Sequence, residues 1–208
     1  MSITATDRIL FTGDSITDCD RLRENSLHLG FGYVSFAAAR LQARLASPKL
    51  QILNRGLSGD RIGNLLGRVQ PDLLDLQPTV VSILLGINDT WRRYDRNEET
   101  TAEVFENGYR ILLGKIRQQL TARIILLEPF LLHTSEDRYA WREDLNPKID
   151  VVRKLAIEFG TDLLPLDSIF AKAATRAPAA FWAYDGVHPT AAGHALIADA
   201  WLSQVGLA

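Results

Sequence analysis

Four short polar segments contain the side chains that an acyl-transfer site needs. Ser15, Gly59 and Asn88 each follow an apolar run, and Asp185 precedes His188 by three residues near the C-terminus. A serine hydroxyl needs an imidazole to accept its proton, and a carboxylate holds that imidazole in the required tautomer. A glycine N–H and an amide side chain can donate to the oxyanion that forms. The pattern therefore favours acyl transfer, with Ser15 as nucleophile and Ser15 N–H as a further oxyanion donor.

Each of these segments, taken alone, also has a structural interpretation. A Gly-Asp-Ser sequence ending at Ser15 and an Asn-Asp pair beginning at Asn88 are common in turns, and Gly59 alone would be a turn glycine. His188 could be an ordinary loop histidine. The functional interpretation depends on the occurrence of all the segments together, each at its own strand end.

Short apolar runs alternate with segments of helical period. The runs predict strands at residues 8–12, 50–54, 80–85, 123–127 and 162–166. Helical spacing predicts helices over 33–45, over 61–76 with Pro71 breaking or bending the chain, from about 103 to 120, from about 147 to 159, and after Thr190. The residues from Gly86 to Asp95 are expected to form a loop after the third strand.

This alternation predicts an α/β fold with a parallel sheet covered on both faces. The 208 residues are too few for a barrel of about 250 residues. We expect one domain over residues 1–208, a three-layer α/β/α sandwich with a flavodoxin-like five-stranded sheet in the order 2-1-3-4-5. Ligands bind outside the carboxyl ends of such strands. The loops that contain Ser15, Gly59 and Asn88 would then lie side by side.

Composition excludes several classes of function. The formal charge of −2 and the mixed signs along the chain give no basic surface for nucleic acid. A single cysteine, Cys19, excludes an intramolecular disulfide framework and a cysteine zinc site. No apolar run reaches the roughly 18 residues of a membrane span. The first strand begins too early for a signal peptide, so we expect a cytoplasmic protein. The assembly state stays open, a homo-oligomer included.

The four segments resemble the sequence blocks of the SGNH hydrolases, also called the GDSL esterase/lipase family. They occur in family order over nearly the whole chain, as Gly13-Asp14-Ser15, residues 54–59, Gly86-Ile87-Asn88-Asp89 and residues 185–188. The resemblance implies Ser15 as nucleophile, His188 as base and Asp185 as its partner. It also implies an oxyanion hole made by the N–H groups of Ser15 and Gly59 and the side chain of Asn88, with no cofactor and no metal.

A finer resemblance concerns one branch of that family. The stretches LFTGDSITDCDR, GLSGD, LGINDTWRRYD and DGVHPTAAGH are similar to those of intracellular acetylxylan esterases, which remove acetyl groups from xylose units of short oligosaccharides. The resemblance implies a small acetyl ester or acetylated oligosaccharide as substrate. A thioesterase, a lysophospholipase or a general carboxylesterase of the same family is the alternative.

Aromatic and basic residues near the predicted site are candidates for substrate binding. Trp91 and Arg92 follow Asn88, whereas Trp182 and Tyr184 precede Asp185. Flat rings close to the nucleophile would leave little room for a long acyl chain and could pack against a sugar. The alternative is that Trp91 and the neighbouring arginines serve packing or a subunit contact.

Other polar residues fit catalysis less well. His194 has no adjacent carboxylate, and Ser58 would need glycine in place of Asp60 to form a G-x-S-x-G nucleophile elbow. Asp18 and Asp20 have no partner cluster for a metal. Asp14 is expected to brace the turn before the nucleophile.

Two hypotheses from other classes compete with an esterase. A flavodoxin-like binding or receiver module would be expected to have an acidic cluster and a lysine at the end of the sheet, where this chain has serine, amide and histidine. A protein that kept the fold without the chemistry would be expected to lack Ser15, Asn88, Asp185 or His188, and all four are present.

Overall fold

A five-stranded parallel sheet forms the centre of the molecule. The structure is a computed structural model that describes residues 3–207. The strands lie in the order β2-β1-β3-β4-β5, which confirms the predicted fold class and strand order. Their bounds are β1 (Arg8–Gly13), β2 (Gln51–Gly56), β3 (Val80–Leu84), β4 (Arg123–Leu127) and β5 (Asp162–Leu164).

Helices connect the strands and cover both faces of the sheet. Their bounds are α1 (Ser15–Asp18), α2 (Tyr33–Leu45), α3 (Ile62–Val69), α4 (Ile87–Arg96), α5 (Ala102–Gln119), α6 (Asp137–Ala140), α7 (Arg142–Glu158), α8 (Leu166–Ala174), α9 (Ala179–Trp182) and α10 (Ala191–Gln204). None of them, in the part of the chain described, is long and apolar enough to cross a membrane.

The two faces of the sheet carry separate apolar cores. On β1, Ile9 and Phe11 point to a core shared with α2, α8 and α10, whereas Leu10 points to a core shared with α3, α5 and α7. Successive strand residues alternate between faces, so an apolar run with no polar positions fits a strand buried on both sides. Because the sheet is packed on both faces, the ends of its strands are held in place, and the candidate site lies next to them.

The segment 61–76 changes conformation at the predicted proline. The α-helix ends at Val69, and Gln70–Leu74 forms a π-helical turn that contains Pro71. Proline has no N–H to donate and crowds the preceding turn, so a change of helix type there is expected.

Three predictions of local structure were wrong. The helix predicted from Pro147 begins at Arg142, with Pro147 inside it. Trp141 and Leu145 are buried in the core, and their packing offsets the hydrogen bond that the proline removes. The expected loop after β3 is instead the helix α4. Leu166, expected to end the fifth strand, begins α8.

Candidate active site

Ser15 is the first residue of α1, and Asp14 alone separates it from the end of β1 at Gly13. Gly13 has φ of +153°, and a Cβ there would collide with the carbonyl oxygen of Leu84 on β3. Asp14 caps α1 by accepting a hydrogen bond from the N–H of Ile16 at 3.0 Å. A close strand and a capped helical turn thus fix the backbone around Ser15.

His188 and Asp185 lie in the segment between α9 and α10, next to Ser15. Ser15 Oγ is 2.9 Å from His188 Nε2, and His188 Nδ1 is 2.7 Å from Asp185 Oδ2. Gly186 between them has φ of +88°, and its carbonyl oxygen accepts a hydrogen bond from Leu132 N–H at 2.8 Å. The structure therefore brings the hydroxyl, the imidazole and the carboxylate into one chain of hydrogen bonds.

Asp185 is held as a carboxylate in this arrangement. Its Oδ1 accepts from the N–H groups of Val187 and His188, at 2.9 and 2.7 Å. Burial pushes the pKa of Asp185 up, but the hydrogen bonds from the His188 side chain and from these two N–H groups outweigh it and lower the pKa to about 2. A carboxylate with fixed lone pairs can orient the imidazole.

His188 is a stronger base than an ordinary histidine. The hydrogen bond to Asp185 raises its pKa, against the opposing effect of burial. With Nδ1–H donating to Asp185, Nε2 is free to accept the proton of Ser15 Oγ. This is the tautomer that general-base catalysis at Ser15 requires.

Three candidate N–H donors lie beyond the carboxyl ends of the neighbouring strands β1, β2 and β3. Gly59 has φ of +87°, a conformation that favours glycine, and a Cβ there would meet open space. Among the described residues, the N–H groups of Ser15 and Gly59 have no acceptor. The buried side chain of Asn88 donates one N–H to the carbonyl oxygen of Asp60 at 3.2 Å. Its second N–H is left for another acceptor.

Two buried carboxyl groups stabilise the segments that carry these N–H donors. Asp14 and Asp89 are both fully buried, and Asp89 accepts from the N–H of Ile62 at the start of α3. Burial raises the pKa of each to about 7, despite the hydrogen bonds that stabilise the charged forms. Asp89 thereby ties α4 to α3, the two helices next to Asn88 and Gly59.

An aromatic wall stands beside His188. The ring of Trp91 lies 5.6 Å from the imidazole and 5.2 Å from the ring of Trp141, which stacks on Tyr94 at 5.3 Å. The guanidinium of Arg138 lies 4.0 Å above Trp141. These residues line a cavity of about 390 Å³, here called the aromatic cavity.

The other predicted substrate-binding residues differ in position. Tyr184 is exposed and stacks on His188 at 5.7 Å, so it borders the site. Arg92 pairs with Asp95 at 2.8 Å and lies over Trp91. Trp182 packs beside Phe181, and no ring contact joins it to His188 in the described part of the chain.

The alternative residues are engaged elsewhere. His194 is buried, its Nδ1 accepts from Tyr33 N–H, and burial lowers its pKa to about 4. Ser58 donates both its hydroxyl and its N–H to Asp18. Between residues 3 and 207, no group of three or more histidine, cysteine, aspartate or glutamate side chains could hold a metal ion.

Arg138 and Trp141 were missed by sequence reasoning. Arg138 Nε donates to the carbonyl oxygen of Asp185 at 3.1 Å, so it braces the loop that contains the imidazole. Both residues follow β4, and the rule that ligands bind at the carboxyl ends of strands applies to that strand as well. The predicted site drew only on the first three strand ends and the C-terminal segment.

Comparison with known proteins decides the family. The model of the GDSL-like lipase/acylhydrolase family matches residues 11–196. The chain belongs to this family. The match spans Ser15, Gly59, Asn88, Asp185 and His188. The resemblance inferred from the sequence is thus confirmed, and the protein is a carboxylic ester hydrolase of this family.

Two relatives cover nearly the whole chain. The acetylxylan esterase of Geobacillus stearothermophilus is 33% identical over 99% of this chain and 97% of its own. Its crystal structure has a TM-score of 0.91, with 100% and 98% of the two chains covered. Solved catalytic mutants of that esterase replace a histidine or an aspartate three positions before it with alanine. A structure described as a GDSL-like lipase, from Parabacteroides merdae, is 37% identical, with a TM-score of 0.94 and 99% and 98% coverage.

Proposed function

We propose that this GDSL-family hydrolase removes acetyl groups from small sugar esters through an acyl-enzyme on Ser15. The observation that carries the mechanism is the chain of hydrogen bonds from Ser15 Oγ through His188 to Asp185, at 2.9 and 2.7 Å. These lengths are those of a nucleophile, base and orienting carboxylate ready for acyl transfer.

The proposed reaction has two halves. His188 Nε2 takes the proton of Ser15 Oγ as the oxygen attacks the ester carbonyl carbon. The oxyanion accepts hydrogen bonds from the N–H groups of Ser15 and Gly59 and from Asn88. His188 then protonates the leaving alcohol oxygen, and water, deprotonated by His188, attacks the acyl-enzyme to release acetate.

The substrate proposal rests on the relatives and on the aromatic wall. An acetylxylan esterase matches this chain over nearly its full length. His188 must reach the leaving oxygen, and the ring of Trp91 is 5.6 Å from its imidazole, so this ring borders the reacting ester. Flat aromatic faces suit a sugar ring and narrow the space for long chains.

Replacement of Ser15 tests the nucleophile. Ser15→Ala should fold normally and lose about 10³-fold or more in kcat on p-nitrophenyl acetate, because only the oxyanion donors remain. A fluorophosphonate should label Ser15 in the wild-type protein. Labelling of Ser58 instead, with an active Ser15→Ala protein, would contradict the assignment.

A chain-length series tests the substrate class. We expect acetyl esters to be preferred over octanoyl esters by at least about tenfold in kcat/KM, or about 1.4 kcal/mol. Acetylated xylo-oligosaccharides should also be turned over, with acetate release as the measurement. Equal rates on acetyl and octanoyl esters would instead support a lipase or thioesterase.

A further inference from the structure

A second cavity lies beside α4 and is lined by other residues of that helix than the aromatic cavity. It has a volume of about 270 Å³, and its lining includes Gly59, Arg61, Asn64, Arg92 and Arg96. It is called the arginine cavity below. The mechanism described above uses only Gly59 from this lining, and ester hydrolysis itself needs no guanidinium.

The arginine cavity adjoins the proposed oxyanion hole. Asn88, Arg92 and Arg96 recur every four residues on α4, and side chains at this spacing share one face of a helix. A rise of 1.5 Å per residue places Arg92 about 6 Å and Arg96 about 12 Å beyond Asn88 along the axis. A substrate held at Asn88 could thus reach both guanidinium groups with a substituent of modest length.

The guanidinium groups are not all committed to protein carboxylates. Arg61 pairs with Glu98 at 3.0 Å, and Arg92 pairs through one nitrogen with Asp95. The buried Nε of Arg92 has no hydrogen-bond partner. Arg96 has no ion pair with any residue from 3 to 207.

The acidic residue that lines the arginine cavity, Asp60, is already paired with an arginine. Asp60 is buried and pairs with Arg68 at 2.7 Å, so it offers no free charge to repel an anion. Guanidinium donors match the geometry of a carboxylate, and they bind it with charge-assisted hydrogen bonds. A carboxylate carried by an ester therefore matches both the donors and the charge of this cavity.

We propose that the arginine cavity binds a carboxylate of the ester substrate, so that acidic esters are preferred over neutral esters of the same shape. This inference rests on the proposed function, since it requires ester hydrolysis at Ser15. The carboxylate can belong to the acyl group, as in a dicarboxylic half-ester, or to the alcohol, as in an acetylated uronic acid. Both deliver the same chemical group to the same guanidinium groups.

Matched ester pairs test the inference and separate the two sources. The first pair is mono-p-nitrophenyl succinate and p-nitrophenyl butyrate, which share the leaving group. The second pair is acetylated methyl glucuronide and acetylated methyl xyloside. In the pair whose acidic ester carries the carboxylate on the correct side, acyl or alcohol, the wild-type kcat/KM should be about tenfold higher for the acidic ester, or about 1.4 kcal/mol. Added salt should reduce this preference, because it screens the guanidinium charge.

Arginine variants locate the effect. Arg96→Gln should reduce the acidic-to-neutral ratio about tenfold, and Arg96→Glu should reduce it further. The ratio is measured within each variant, so a general loss of activity leaves it unaltered. The matched control is Arg40→Gln on α2, where the exposed arginine pairs with exposed Asp199; it removes the same charge and should keep the wild-type ratio.

Three results would overturn the inference while the esterase assignment survived. They are hydrolysis of neutral esters with no acidic preference in either pair, an unaltered ratio in Arg96→Gln, and an equal fall in Arg40→Gln. No turnover of either ester in any pair would overturn the proposed function and this inference with it.

Discussion

The amide of Asn88 has one task seen in the structure and one that we propose, and its removal should affect both. One N–H donates to the carbonyl oxygen of Asp60 at 3.2 Å, and the other is the proposed donor to the oxyanion. Loss of one oxyanion donor costs about 2.7–4 kcal/mol, so Asn88→Ala should lower kcat about 10²–10³-fold with a smaller change in KM. Because Asp60 follows Gly59, the freed carbonyl also loosens a second donor, which places the expected loss at the upper end.

Kinetics and stability measured together separate the two tasks. Asn88→Ala leaves a buried acceptor unpaired, so the free energy of unfolding from urea titration should fall by about 1–3 kcal/mol. The control is Asn146→Ala, an exposed asparagine on α7 that should keep wild-type kcat and stability. Wild-type kcat in Asn88→Ala, with only the stability lowered, would show that the amide serves the backbone and not the oxyanion.

Further predictions concern the base, the aromatic wall and the second serine. Asp185→Asn removes the charge that raises the pKa of His188, so the acidic side of the pH profile of kcat/KM should move to lower pH, and kcat should fall by about 10⁴-fold. An acidic side that stays at the wild-type pH would contradict the pairing of His188 with Asp185. Trp91→Ala should reduce the acetyl-over-octanoyl preference or weaken turnover of acetylated sugars more than that of p-nitrophenyl acetate; an unaltered substrate profile would return Trp91 to a packing role. Ser58→Ala should keep the wild-type kcat on p-nitrophenyl acetate, because the Ser58 hydroxyl is bound to Asp18. A loss of kcat as large as that expected for Ser15→Ala would instead support Ser58 as the nucleophile.

The sheet and the proposed catalytic residues were accessible from the sequence for one physical reason. Strands buried on both faces are continuous apolar runs, so their ends are visible where polar residues begin. Parallel strands then bring those ends to one edge. The sequence alone is therefore enough to predict that Ser15, Gly59 and Asn88 lie close together.

The parts that escaped prediction depend on tertiary contacts. The segment Ile87–Arg96 carries few apolar residues, and its helix is anchored by Asp89 binding α3 and by Trp91 packing on Trp141. Arg138 reaches the carbonyl oxygen of Asp185 from 47 residues away along the chain. Local sequence patterns cannot predict contacts between residues so far apart in the chain.

Asp14 gives a prediction about stability that depends on pH. Burial raises its folded-state pKa to about 7, whereas an unfolded aspartate titrates near 3.9. Between these values the folded protein holds a proton that the unfolded chain has lost, so stability present below about pH 4 is lost as pH rises to about 7. The slope is about 1.4 kcal/mol per pH unit, which gives a total on the order of 4 kcal/mol.

Asp14→Asn removes this titration but keeps an oxygen to cap α1 through Ile16 N–H. Its new amide N–H₂ replaces Oδ2, which has no partner, so a constant penalty is expected at every pH. The informative quantity is therefore the difference in unfolding free energy between variant and wild type, measured by urea titration from pH 4 to pH 8. That difference should rise in favour of the variant by several kcal/mol across this range. The control Asp150→Asn changes an exposed aspartate of α7 and should give a flat difference. A flat difference for Asp14→Asn as well would mean that Asp14 is charged in the folded protein, and that the raised pKa is wrong.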